Sequence, residues 1–156
     1  MRLEWLSHDD PEHARALRWL SRRINENFET GAVGVVLSDA GELACVWVWH
    51  NWQPDAGVME FSGASLTPRW MTRRILHALF AYAFERAGCQ MVVTRNSAAN
   101  ESLHKQLWAF GFDRFDIPRL FGRREDGVVW TMTDDQWRAG RFFIGVDRIS
   151  AREAAE

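Results

Sequence analysis

The chain has 156 residues and a net charge of −2, with no apolar run near the ~20 residues that a membrane span needs. This excludes a membrane-spanning helix and makes nucleic acid an unlikely general partner. Hydrophobic residues at 47% and aromatics at 13% exclude a disordered chain, and they predict one domain over residues 1–146 followed by a charged tail over 147–156.

In chain order, Leu3 to Leu6 reads as a short strand. Asp9 or Asp10 with Pro11 opens an amphipathic helix carrying Ala14, Leu17, Trp19 and Leu20 to about Ile24. Asn25 to Thr30 is a polar connection. Ala32–Leu37 and Leu43–His50 are two strands around the turn Ser38–Glu42, a hairpin pattern. Both faces of the second run are apolar, which predicts a central strand. Asn51 to Asp55 turns into a third antiparallel strand, Gly57 to Ser65. A helix of about five turns then runs from Thr67-Pro68 to Gly88, and a buried parallel strand follows at Met91–Val93. A further helix spans about Ala98 to Phe110 before Gly111. Phe112–Ile117 and Val128–Thr133 form the last strand pair, and Thr133 caps a terminal helix.

Two strands joined by one helix form a βαβ unit. The start of its helix, Thr67-Pro68-Arg69-Trp70-Met71-Thr72-Arg73-Arg74, joins unpaired backbone N–H groups to arginines, a place for an anion. Cys45 and Cys89 lack CxxC or Cys/His spacing, so no metal is expected, and with no signal-peptide run the chain reads as cytoplasmic. Nine tryptophans, several beside polar residues, fit either core filling or the walls of a cleft.

The element order resembles that of the GNAT superfamily of N-acetyltransferases. Asn100 to Gly111-Phe112 is similar to the family's N-x-x-(A/S)-x-x-L-Y-x-x-x-G-F segment, and the helix start aligns with its V-x-P-x-x-(Q/R)-x-x-G-x-G/A motif, with Arg74 and Leu76 standing where the two glycines fall. The sequence also looks like GNAT-like proteins of tailed bacteriophages. The resemblance implies an α/β (α+β) fold: a mixed, mostly antiparallel six- to seven-stranded sheet with a central parallel βαβ core flanked by helices.

It further implies acetyl-coenzyme A as cosubstrate and direct acyl transfer to a small-molecule amine or a protein amino group. The coenzyme would be held by Ala64, Ser65, Leu66, Arg69, Trp70, Met71, Thr72, Arg73, Arg74, Ile75, Leu76 and Asn100, where Asn100 serves equally as a helix cap. The strands would splay beside the third antiparallel strand, with Glu60 as the first candidate base and His50 as the second. Trp52, Asn51, Asp55, Glu26 and Glu29 would form an acidic, aromatic entrance for a cationic amine. The family's frequent acid tyrosine is replaced by Leu107, with His104 or Ser102 as substitutes, while Tyr82 reads as packing. The alternative is a non-catalytic GNAT-fold binding or assembly protein, with a homo-oligomer or a phage-assembly partner, resident in the host cytoplasm or the virion. A third reading, a local nucleic-acid patch, uses Arg69, Arg73, Arg74, Arg119, Arg123 and Arg124.

Overall fold

The computed structural model describes residues 1–28 and 30–145, so Glu29 and the expected tail over 147–156 lie outside the described residues. In chain order the elements are β1 (Arg2–Leu6), α1 (Pro11–Ile24), β2 (Ala32–Leu37), β3 (Leu43–Gln53), β4 (Val58–Ser65), a 3-10 turn (Pro68–Trp70), α2 (Arg73–Ala81), β5 (Met91–Ser97), α3 (Glu101–Phe110), β6 (Asp113–Gly122), β7 (Glu125–Thr133) and α4 (Asp134–Ala139). After α2 the helix continues as a π-helical turn over Tyr82–Arg86.

One seven-stranded sheet runs β1-β2-β3-β4-β5-β7-β6, antiparallel throughout except for the β4–β5 pair. The expected mixed sheet with a parallel core is therefore present. Among the described residues no helix is long and apolar enough to cross a membrane.

Period-two alternation in β3 divides the core into two layers. Val46 and Val48 join Val33 and Val35 of β2 under Ala16, Leu17 and Leu20 of α1. Cys45, Trp47 and Trp49 point the other way, into an aromatic layer with Phe61, Phe80 and Phe112 beneath α2. Trp47 stacks on Phe61 with ring centroids 4.6 Å apart. Gly63 of β4 makes this packing possible, since a Cβ there would stand 3.1 Å from the Trp47 ring and 3.2 Å from the Val46 carbonyl.

Helix ends follow local chemistry. Asp10 caps α1 by accepting from Glu12 N–H at 2.9 Å, with Pro11 in the first turn, and Asn25 closes it in the left-handed region at φ 53°. Thr133 and Gln136 form a reciprocal capping box on α4.

The long central helix departs from expectation at both ends. Thr67-Pro68 opens only the short 3-10 turn, and the α-helix starts at Arg73 with Thr72 as its cap. The reason lies between them: Trp70 turns inward to within 6.0 Å of Trp47, and Met71 takes a non-helical backbone. The helix therefore has nine α-helical and five π-helical residues, short of the expected five turns.

Candidate active site

The sheet opens into a fork between its two parallel strands. β4 and β5 pair only from Val58 to Glu60 against Met91 to Val93. Beyond that point Phe61 to Ser65 stays with β3, whereas Thr94 to Ser97 stays with β7, so the facing edges of the two strands part.

Where they part, polar side chains gather on the α1 side of the sheet. Glu60 and Ser62 come from β4, His50 and Asn51 from β3, Arg95 from β5, and Glu26 from the segment after α1. Asn51 Nδ2 donates to Glu60 Oε1 at 2.8 Å, and Arg95 Nε lies 3.6 Å from Glu60 Oε2. The same guanidinium reaches Glu26 Oε1 at 3.4 Å. The Ser62 hydroxyl has one proton and two acceptors in reach, His50 Nε2 at 3.0 Å and Glu26 Oε2 at 3.4 Å.

Burial holds the His50 pKa below the usual imidazole range, aided by Arg95 and opposed by the Glu60 and Glu26 carboxylates. His50 is therefore a neutral imidazole at pH 7, able to accept a proton. Phe28 packs edge-on against its ring at 4.9 Å. A groove of about 380 Å³ shares His50 and Asn51 with this cluster and continues to Trp49, Trp52 and Tyr82. Trp52 lines this groove, while Asp55 is exposed and takes no part in the cluster.

On the far side of the fork, Ala64 and Ser65 lie on the open edge of β4, level with Val46 and Cys45, and Leu66 N–H donates to the Ala44 carbonyl. Thr72 Oγ1 accepts from Ile75 N–H at 3.3 Å, which leaves the Arg73 and Arg74 N–H groups without intrahelical acceptors. Arg69 and Arg74 are exposed. Arg73 instead donates from Nη2 to the Phe143 carbonyl at 2.8 Å, tying the segment after α4 to the start of α2.

Several residues expected at the coenzyme use their side chains elsewhere. The side chains of Trp70, Ile75 and Leu76 are buried in the aromatic layer, and Met71 packs against it, so their side chains belong to the core. Asn100 caps α3, its Oδ1 accepting from Leu103 N–H at 3.4 Å. A thioester-bearing nucleotide nonetheless fits the residues present. The unpaired β4 edge can complete hydrogen bonds with an amide-containing arm, and the mouth of α2 supplies free N–H groups beside two exposed guanidiniums.

His104 is not a free acid. It is 5% exposed and locked between the Ser97 carbonyl and the Trp130 indole. Ser102 is exposed, Leu107 is buried, and Tyr82 stacks on Trp5 at 4.6 Å, a packing role as expected. Burial pushes the Cys45 thiol up to about 12 and Cys89 to about 11, so neither is a nucleophile. Arg123 and Arg124 sit exposed in the β6–β7 turn, with Arg119 nearby on β6.

Sequence reasoning missed Arg95 and Ser62. The parallel register contained the signal: with Glu60 level with Val93, two residues further along each strand bring Ser62 and Arg95 to the same height and face.

No protein-family model and no curated protein matches the sequence. Solved structures do match. A mutant of the spermidine N-acetyltransferase SpeG from Vibrio cholerae superposes with a TM-score of 0.67 at 13% identity, covering 88% of this chain and 97% of that one. A chimera of SpeG and hSSAT gives 0.70 at 13% identity over 88% and 99%. A crystal structure assigned to the acetyltransferases gives 0.66 at 21% identity over 88% and 85%. A sheet forked at its parallel pair and these superpositions together give the chain the fold of the GNAT N-acetyltransferases.

Proposed function

We propose that the protein is an acyl-coenzyme A-dependent N-acyltransferase that moves an acetyl group to a cationic amine by direct transfer. The observation that carries this reading is the fork itself, open between β4 and β5 with a carboxylate, a neutral imidazole and a hydroxyl at its floor.

The coenzyme would bring a thioester, whose acyl carbon the neutral amine nitrogen attacks as the carbon–sulfur bond breaks, and the thiolate leaves as a thiol with the second proton of the nitrogen. Arg69 and Arg74 with the first N–H groups of α2 bind its phosphates, and the open edge of β4 orients its arm. Glu60 already accepts from Asn51 and faces Arg95, so its carboxylate is held in place as an anchor for an ammonium group. His50, neutral and joined to Ser62, is the better proton acceptor. The amine proton passes through the Ser62 hydroxyl to His50 Nε2 and leaves the nitrogen lone pair free. This assignment reverses the order expected from sequence, in which Glu60 came first.

Calorimetry with acetyl-coenzyme A tests the reading. Binding in the micromolar range is expected, and Arg74→Ala should weaken it by about 1.5–3 kcal/mol if the guanidinium meets a phosphate. Silence at millimolar coenzyme would leave only a GNAT-shaped binding protein.

A further inference from the structure

We propose that β6 is a self-pairing edge through which two copies of this chain join in one continuous sheet. Among the described residues β6 ends the strand order, with only β7 beside it, and its first seven residues, Asp113 to Arg119, are all exposed. Three of the six large exposed hydrophobics among the described residues lie on this strand: Phe115 at 53%, Ile117 at 37% and Phe121 at 46%. A long edge carrying apolar side chains is a template for another strand.

The sequence of the edge identifies the partner as a second copy. Arg114 and Asp116 point to the face of Trp130 and Val128, while Asp113, Phe115 and Ile117 point to the face of Val129. In an antiparallel pair centred on Phe115, that residue meets its own copy on a two-fold axis. Arg114 then stands opposite Asp116 twice, and Asp113 opposite Ile117. Arg114 and Asp116 already form an ion pair along the strand, Nη2 to Oδ1 at 2.8 Å, so their charged ends are at the height that a cross-strand exchange needs.

The competing registers are disfavoured by the same two charges. A slip of two residues one way puts Arg114 opposite itself, and a slip the other way does so for Asp116. The paired stretch has natural ends as well. Pro118 offers no N–H, and Arg119 turns away at φ 63° with its N–H held by Asp126 Oδ1 at 2.9 Å. Five residues, Asp113 to Ile117, are thus presented for pairing, and α1 leaves their apolar face bare because it packs on β2, β3 and β4.

Sedimentation equilibrium of the full chain, together with single-cysteine crosslinking, tests this. A dimer is expected at roughly 100 µM, the range of a small, transient interface. Phe115→Cys should form a disulfide-linked dimer under mild oxidation, because residues on the axis have Cα atoms about 5 Å apart. Asp113→Cys should not, since its own copy would be roughly 14 Å away. The native Cys45 and Cys89 are buried and do not compete. Arg114→Asp should weaken the dimer at least about tenfold, with the charge-swapped pair Arg114→Asp/Asp116→Arg restoring it. Circular dichroism checks that each variant is folded, and the cysteine arm decides alone if the charge variants are not. A monomeric wild type, a dimer that Phe115→Cys does not crosslink, or one indifferent to Arg114→Asp in a folded variant overturns the proposal.

Discussion

His50 is under opposed pressures from its neighbours. Burial and the Arg95 guanidinium favour the neutral ring, whereas Glu60 and Glu26 favour the imidazolium, and the former prevail. Removing a carboxylate should therefore move its titration further down, and removing the guanidinium should move it up. NMR of the ring proton in Glu60→Gln and Arg95→Gln checks both directions, and an unmoved titration in either would detach that residue from His50. Stability follows the same sign. As pH falls below about 6.5 the unfolded chain takes up the proton first, so the folded state loses stability down to the folded pKa and levels off beneath it. His50→Gln should remove that part of the acid slope, with the part from His77, whose pKa burial also lowers, remaining. Under the proposed function the two roles separate: His50→Gln should lower kcat by roughly 10²–10⁴-fold, while Glu60→Gln should act mainly on KM for the amine.

The third helix shows how a residue that looks functional can be a fastener. Trp130 Nε1 can only donate, so His104 Nδ1 must accept from it at 3.0 Å, which leaves Nε2–H to donate to the Ser97 carbonyl at 2.9 Å. One ring thus joins α3, the end of β5 and β7. His104→Leu leaves the indole N–H buried without a partner, while the Ser97 carbonyl keeps the Asn100 N–H at 3.1 Å, and should cost about 1–3 kcal/mol in urea unfolding. A loss below roughly 0.5 kcal/mol would mean that the contact carries no weight. From sequence alone His104 lay in a plausible place for an acid, because helical spacing does not reveal that position 130 faces it from another element. α2 teaches the converse. Its two capping signals, Thr67-Pro68 and Thr72, were both written in the chain, and only the inward turn of Trp70 decided that the α-helix would begin at the second. Arg74 consequently falls in the first turn, where its N–H is still unpaired, so the missing glycines cost less than alignment from Pro68 implies.

For the molecule as a whole, the chain order of the elements was legible, and so was the two-layered core, because alternation in β3 assigns Val46 and Val48 to one side and Trp47 and Trp49 to the other. The point where the sheet opens was harder to read. Nothing in Phe61 to Ser65 or Thr94 to Ser97 marks them as strands without each other; the division shows only in the pairing, where β4 follows β3 and β5 follows β7 along their lengths but the two meet only from Val58 to Glu60. The polar cluster was read in part for the same reason, since its members come from four separate segments that meet only once the register is known.

The packing under Gly63 has an optical consequence. Trp47 and Trp70 are each 7% exposed, and the Trp47 indole N–H lacks an acceptor among the described residues, an environment that should give blue-shifted emission. Because Trp47 lies against the splayed part of β4, filling the cleft should alter its fluorescence, and Trp47→Phe should abolish most of that change. The protein would then carry its own dye, and titrating acetyl-coenzyme A into unlabelled protein should follow occupancy in real time.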